Sequence, residues 1–554
     1  DLPTRLLCDP VVETALAGVS PAAAGAVTIE VHPQPGVMDP TAQSVAEAIT
    51  DLTGAAANVS TGWRYDFKGI SASDAVAFAR RALANPVIHE IREKPFHPAS
   101  LPAGHAYALK VTHVPIRDLD DAALTSLSRT AHLFLSLDEM RAIQAEFRRV
   151  GRDPSDIELE TLAQTWSEHC VHKTLKSRIS YTAPNISSDA LTWTSRPGHT
   201  VNADGSVTID NLLKSTVAAA THELIAGGIN WTLSVFKDNS GVIALDDQWA
   251  VCIKVETHNH PSAIEPYGGS ATGVGGCIRD VIGTGLGAKP IANTDVFCVA
   301  HPDRWTDGTP RPGASSPLPK GTLHPRRILT DVVSGVRDYG NRMGIPTVSG
   351  AVAFDDRYIG NPLVFCGCVG LLPRNRVKGA ARAGDLIVAL GGRTGRDGIH
   401  GATFSSAELT DTHAVEFGHA VQIGNAIEEK RTLDAILRAR DEHGEPLYSG
   451  LTDCGAGGFS SAVGEMGATL GAQVDLDRAP LKYDGLSYTE IWISEAQERM
   501  VLAVPQSNLA SLQRICDEEG VELSILGTFG TPGEDLILRY KGTEVGRLSM
   551  HFLH

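Results

Sequence analysis

Between Val251 and Asp280 the chain reads VCIKVETHNHPSAIEPYGGSATGVGGCIRD, which gathers a lysine, three acids, two histidines and an arginine around glycines. Lys254, Val255 and Glu256 close an apolar run, WAVCIKVE, that reads as a buried strand. Alternation puts Lys254 and Glu256 on one face. Thr257, His258, Asn259 and His260 leave the strand end, where Pro261 is expected to stop any immediate helix. Gly268, Gly269, Gly273, Gly275 and Gly276 are expected to form a turn whose backbone N–H groups approach an anion, with Arg279 and Asp280 opening a helix. A cation, acids able to hold Mg²⁺ and a row of backbone donors suit a phosphorylated ligand. Zinc on His258, His260, Glu256 and Asp280 is the alternative; oxygen ligands favour Mg²⁺ on Glu256 or Asp280.

Four further segments carry reactive side chains. TWSEHCVHKTLKS (Thr165–Ser177) gathers His169, His172, Lys173 and Lys176 at a helix end, where they could position phosphate or move a proton; a solvated helix end is the plain alternative. Cys170 adjoins His169, but neighbouring helical residues diverge by about 100°, which argues against a thiol nucleophile. GLTDCGAGGFSSAVGEM (Gly450–Met466) reads as a glycine turn entering a helix, with Asp453 placed to reach a metal. GGRTGRDGIHG (Gly391–Gly401) offers Arg393 and Arg396 to phosphate, and SEAQERM (Ser494–Met500), with Glu495 and Gln497, reads by itself as surface. There is no GxxxxGK[ST] and no GxSxG, and GTGLG (Gly283–Gly287) lacks the spacing of a dinucleotide fingerprint.

The elements that must position these groups are legible in outline. RLLCDPVVE (Arg5–Glu13) matches RALANPVIH (Arg81–His89) at an offset of 76 residues. The second copy ends a unit of strand (VTIEVHP), Pro35-Gly36 turn, helix (PTAQSVAEAITDL), strand (Trp63–Phe67), helix (Ser73–Ala84) and strand from Val87. That order fits a small α/β sandwich, and the lone first tail implies a chain opening inside an earlier copy. Helices are expected over Leu137–Val150 and, after Asp153-Pro154-Ser155, over Asp156–Cys170. A sheet-rich region follows over Ile179–Pro373, interrupted by a Pro/Gly-rich loop, Pro302–Pro325. An α/β block runs from AGDLIVALGG (Ala383–Gly392) to a last strand at Arg547–Phe552.

Composition bounds the class. The 554 residues suggest three or four domains at about 150 residues each. A net charge of −17 and a pI of 5.6 argue against nucleic acid or an anionic membrane as partner. No apolar run approaches the ~18 residues of a membrane span, and nine dispersed cysteines read as reduced thiols of a cytoplasmic protein.

Taken together, WSEHC, KVETHNHPSAIEPYGGSATGVGGCIRD, GIPTVSGAVAFD, GGRTGRDGIHGATFSS, VQIGN, TDCGAGG and SEAQERM resemble formylglycinamide ribonucleotide amidotransferase, also called phosphoribosylformylglycinamidine synthase, of purine biosynthesis. The likeness covers about Ile157–His554, and the N-terminal unit looks like that enzyme's small accessory subunit. It implies an α+β and α/β multidomain chain: residues 1–25, the tail of a first small-subunit-like repeat; 26–115, a small α/β sandwich; 116–176, a helical linker; 177–375 and 376–554, the N-terminal sheet domain and C-terminal α/β domain of the aminoimidazole ribonucleotide synthetase superfamily. The implied reaction converts formylglycinamide ribonucleotide to formylglycinamidine ribonucleotide: ATP phosphorylates the amide oxygen, after which ammonia displaces phosphate and leaves an amidine.

By matching positions, the resemblance makes His169 the catalytic histidine and His258 the proton acceptor. Lys254 and His172 would contact ATP, although the family often has tyrosine at the latter position. Thr257, His258, Asn259, His260, Arg279, Gln422, Glu495, Ala496 and Gln497 would hold substrate; the usual serine is Ala496 here. Glu256, Asp280 and Asp453 would hold Mg²⁺. The family's synthetase has two homologous halves. This chain holds one, so the resemblance implies a partner: the second half or a second copy, with ammonia from a separate glutaminase. The competing expectations are another ATP-dependent ligase of the superfamily, or a nucleotide-binding half inert without its partner.

Overall fold

A computed structural model describes the whole chain except residues 1, 19–20, 35–36, 87, 97–106, 184–192, 194–195, 309–311 and 405–423. The expected Pro35-Gly36 turn and Gln422 lie outside the described residues.

The small N-terminal sheet has the antiparallel order β2-β1-β3, formed by β1 (Ala26–Pro33), β2 (Trp63–Lys68) and β3 (His89–Arg92). The helices Pro40–Thr53 and Ala72–Phe78 begin where Asp39 and Ser71 side chains accept from the N–H groups of Ala42 and Asp74. The sequence repeat is also a structural one. Pro3–Leu7 and Ala79–Leu83 are both short π-helical turns, and each is followed by the same tight clip. In the first, the N–H groups of Val12 and Glu13 donate to the Asp9 carbonyl; in the second, those of Ile88 and His89 donate to the Asn85 carbonyl.

Two linker helices, Asp121–Thr130 and Leu137–Val150, precede a third over Asp156–Thr165, which Ser155 and Glu158 open with a capping box. The expected helix to Cys170 breaks at Trp166 and restarts at Glu168–Val171, with the Ser167 hydroxyl accepting from Cys170 N–H. A three-stranded sheet of order β4-β6-β5 follows, from β4 (Ile179–Tyr181), β5 (His199–Val201) and β6 (Val207–Ile209).

The next sheet has six strands in the order β13-β10-β14-β9-β8-β7. Its members are β7 (Thr232–Ser234), β8 (Gly241–Ala244), β9 (Trp249–Thr257), β10 (Lys289–Val299), β13 (Thr347–Phe354) and β14 (Leu363–Pro373), while β11 (Trp305–Thr306) and β12 (Ser316–Pro317) pair within the expected loop. Only β10 and β13 run parallel. Helices Pro266–Ile282 and Pro325–Met343 cover one face.

The expected glycine turn is a correction: Gly268 to Gly276 lie inside the 17-residue helix Pro266–Ile282, and Arg279 and Asp280 end it rather than open it. Their missing side chains serve close packing instead. A Cβ on Gly269 would sit 2.5 Å from Ser262 N, and one on Gly275 1.9 Å from Gln497 Nε2. Pro261 likewise does not block a helix, since it falls in the first turn of Asn259–Ile264, where no N–H is needed.

The last sheet has seven strands in the order β16-β18-β15-β19-β17-β20-β21. These are β15 (Leu386–Gly391), β16 (Gly450–Asp453), β17 (Ala472–Asp475), β18 (Arg499–Val504), β19 (Leu523–Phe529), β20 (Asp535–Tyr540) and β21 (Thr543–Ser549). The chain's final turn, Met550–Leu553, is helical where a strand was expected. Alternate residues of β15 enter two different cores. Leu386, Val388 and Leu390 join the core that runs, through the helix Ala426–Asp441, to the covered face of the six-stranded sheet, and Ile387 and Ala389 join the core of the linker helices and Trp492.

Candidate functional site

Lys254 and Glu256 do share a face of β9, the one under the Pro266–Ile282 helix, together with fully buried Cys252. From the last turn of that helix Asp280 Oδ2 lies 3.0 Å from Lys254 Nζ. Its neighbour Arg279 reaches the other way, Nε 3.5 Å from Oδ2 of Asp453 at the end of β16. Asn239 Nδ2 donates to Asp453 Oδ1 at 3.1 Å. The helix over the six-stranded sheet therefore meets the end of a strand of the seven-stranded sheet through Arg279 and Asp453.

The segment after β9 is pinned at several points. His258 N–H donates to the Val364 carbonyl at 2.9 Å, Ser262 Oγ donates to the His258 carbonyl at 2.6 Å, and Asn259 Oδ1 accepts from Val364 N–H at 2.9 Å. From the linker, His169 Nε2 comes to 3.2 Å from Glu256 Oε1. His172 stands on left-handed backbone, φ +53°, with its side chain exposed.

Charge is distributed unevenly over these groups. Burial opposes a proton on His169, yet Cys170 and Glu256 hold its pKa well above the ordinary value. Burial would raise Glu256, but the His169 bond and charge bring it down to about 2. His258 moves the other way: burial lowers it to about 4, and its Nδ1 has no hydrogen-bond partner among the described residues. Asp280 is pushed well above the usual carboxylate range by burial and then by the charge of Asp453. A cationic histidine thus faces a neutral one across a carboxylate, beside a crowded acid pair.

The second glycine turn is as expected, with the helix Phe459–Met466 following Gly457 (φ +78°) and Gly458 (φ +60°). Gly457 N–H donates to Glu495 Oε1 at 3.0 Å. The Glu495–Gln497 segment is no surface loop: Glu495, Ala496 and Gln497 are 5%, 0% and 1% exposed. Gln497 Nε2 donates to the Tyr339 hydroxyl at 3.1 Å, and that hydroxyl donates to Glu429. Sequence reasoning missed Tyr339, Glu429 and Asn239; periodicity marks Tyr339 and Glu429 only as helical. Arg393 stands exposed and Arg396 partly exposed, paired with Glu522 and Glu490, each at 2.7 Å. Among the described residues no three His, Cys, Asp or Glu side chains converge as a metal-holding group, so the zinc set His258, His260, Glu256 and Asp280 is not assembled.

Four family descriptions match consecutive stretches of the chain. They are phosphoribosylformylglycinamidine (FGAM) synthase at residues 26–94, the formylglycinamide ribonucleotide amidotransferase linker domain at 124–173, and the N- and C-terminal domains of AIR synthase related protein at 237–372 and 382–539. The chain belongs to the phosphoribosylformylglycinamidine synthase family. It is 37% identical over 445 residues to phosphoribosylformylglycinamidine synthase subunit PurL of Thermoplasma volcanium, a match covering 80% of this chain and 51% of that protein. For the same subunit of Thermoplasma acidophilum the identity is 36% over 444 residues, 79% of this chain and 51% of that protein. The chain spans about half the length of these curated relatives. Among solved structures, T. maritima PurL complexed with FGAR superposes with a TM-score of 0.53 at 29% identity, covering 75% of this chain and 56% of that one. T. maritima PurL complexed with ATP gives 0.52 at 28%, covering 75% and 55%.

Proposed function

We propose that this chain carries ATP-dependent synthetase chemistry, converting formylglycinamide ribonucleotide to its amidine with ammonia. The observation that supports it most is the pairing of His169 with Glu256 next to half-buried, neutral His258. In this reading the glycinamide carbonyl oxygen, not that of the formyl group, attacks the γ-phosphorus of ATP and ADP leaves. Ammonia then adds to the activated carbon, the C–O bond breaks to release phosphate, and a proton from the incoming nitrogen passes to His258. His169, kept cationic by Glu256, offsets the charge that builds on the oxygen before it leaves.

Lys254 and the exposed His172 take the ATP side, and the Thr257–His260 segment, Arg279, Gln422 and Glu495–Gln497 take the ribonucleotide. Asp280 and Asp453 supply oxygen donors whose mutual repulsion a divalent cation would relieve, so Mg²⁺ fits that pair. Glu256 does not converge with them as a three-ligand group among the described residues, and its carboxylate is held instead by His169. Bound Mg²⁺ would neutralise phosphate charge. Ammonia comes from a separate glutaminase subunit or domain. The bare apolar face of the six-stranded sheet, with Ile253, Val255, Val348 and Val352 each 47–67% exposed, suits a second sheet of the same kind, in a further unit or a second copy. No described helix is long and apolar enough to cross a membrane.

The test is ADP release by the chain with formylglycinamide ribonucleotide, ATP, Mg²⁺ and excess ammonium. Release that requires the ribonucleotide and disappears in His169→Ala supports the reading. Equal release without it, or with another ribonucleotide in its place, overturns it in favour of a different ligase of the superfamily.

A further inference from the structure

The N-terminal unit is not an appendage hung on a linker; it rests on the catalytic body. Arg327, on the Pro325–Met343 helix, donates to the carbonyls of Arg81 and Ala84 at 3.3 and 3.4 Å, and Arg431 pairs with Glu47 at 3.1 Å. Between these contacts the second copy of the repeated clip enters the body. Asn85 is 2% exposed, and its Nδ2 donates to the Ile264 carbonyl at 3.0 Å.

That carbonyl has a special position. Ile264 ends the Asn259–Ile264 helix, whose N-cap is His258, and Glu265 is the N-cap of the Pro266–Ile282 helix, which ends in Arg279 and Asp280. One residue thus separates the helix that starts at the neutral histidine from the helix that delivers the acid. The Glu265 carboxylate accepts from Gly268 N–H, and the Asn85 side chain is among the groups that counter its burial.

The clip is rigid enough to act as a brace. The Asn85 carbonyl accepts from Ile88 and His89 N–H groups at 3.1 and 2.8 Å, and Asn85 N–H donates to His89 Nδ1 at 3.1 Å. Burial and the nearby Arg327 charge keep the His89 ring toward its neutral form, as an acceptor must be. Pro86 follows, and its carbonyl takes the Gln34 side-chain N–H at 2.5 Å. The first copy of the motif makes the same backbone turn around Asp9, but an aspartate offers no side-chain N–H, and its Val11 and Val12 stand 87% and 78% exposed.

We propose that Asn85 is a positioning residue: through its amide, the small domain fixes the joint between the His258 helix and the Asp280 helix. The proposal rests on the reading above that those two residues act in the synthetase reaction. Asn85→Asp keeps the shape, removes the donor and sets a charge against Glu265; Asn85→Ala removes the amide without adding charge. Arg431→Ala loosens docking elsewhere and serves as the control.

Amide hydrogen exchange in residues 258–268 of the full chain is the first readout. The expected result is exchange about tenfold faster in either Asn85 variant, the scale of one lost buried hydrogen bond, with no change in Arg431→Ala. Turnover should show kcat lowered by a similar factor with the KM for ATP within about twofold, because the brace acts on the reacting residues rather than on nucleotide binding. Unchanged exchange in both Asn85 variants overturns the proposal, and so does an equal rise in Arg431→Ala, which would assign the effect to docking as a whole. If the wild-type chain shows no ribonucleotide-dependent turnover, the synthetase reading fails while the exchange experiment still decides the brace.

Discussion

The two large sheets use similar strands to opposite ends. In the seven-stranded sheet, β15 (LIVALG) and β18 (RMVLAV) are buried at every position, and each face packs on its own core. In the six-stranded sheet, β9 alternates: Ala250 and Cys252 are fully buried, whereas Ile253 and Val255 are 49% and 47% exposed. The strand β13 is exposed throughout. A continuous apolar run answers to two covered faces, and alternation to one. The difference separates two jobs. The closed sheet supplies stability, and the open one supplies Lys254 and Glu256 from its covered face while its other face stays exposed.

The largest effect that would test this division is chemical. His169→Ala should cut turnover by about a thousandfold, within the range for a group that holds or moves a proton, with a melting temperature close to that of the parent. A large loss of stability instead would make His169 a structural residue of the linker.

On the closed side, Trp492 is fully buried and its Nε1 donates to Thr161 Oγ1 at 2.9 Å. Trp492→Ala should cost about 3–5 kcal/mol in equilibrium denaturation. A cost near zero would show that the second face is not sealed by the linker helices.

Glu160 gives a pH-dependent version of the same test. Burial raises its carboxyl from 4.5 to about 8 on the linker helix that covers the closed sheet. Between those values the folded chain keeps a proton that the unfolded chain has lost, so stability falls as pH rises from about 4.5 to about 8. Glu160→Gln has no such loss. Its advantage over the parent should therefore grow by about 3 kcal/mol from pH 5 to pH 8, measured by denaturant melts at each pH. A gap independent of pH would place that carboxylate in water.

The smallest effect belongs to the open face. Val352→Ala, at a position 48% exposed, should change the stability of the isolated chain by no more than about 0.5 kcal/mol. A cost of about 2 kcal/mol or more would mean that this face is covered within the chain itself.

Much of this arrangement was legible because it follows local rules. Lys254 and Glu256 share a face through strand alternation, Ser155 and Glu158 announce a helix start, and the Asp9 and Asn85 clips repeat at one offset. What escaped were contacts between segments distant in sequence. The glycines of the Pro266–Ile282 helix look like a turn until Gln497 and Tyr339 are seen pressed against Gly275, where a Cβ would lie 1.9 Å from Gln497 Nε2 and 2.7 Å from the Tyr339 ring. SEAQERM reads as surface because its polar residues are buried by elements the local sequence does not mention. The motif resemblance supplied roles that spacing could not, and the pairing of His169 with Glu256 needed the linker to be folded against β9.

The Arg279–Asp453 contact also constrains the order in which the chain becomes competent. Lys254 and Asp280 meet within one domain, close in sequence, whereas Arg279 finds Asp453 only after the second sheet has formed and docked. Loops this long close slowly. During refolding, helical and strand signals should therefore return before the acid pair is complete, and recovered activity would time the meeting of the two domains rather than the formation of either.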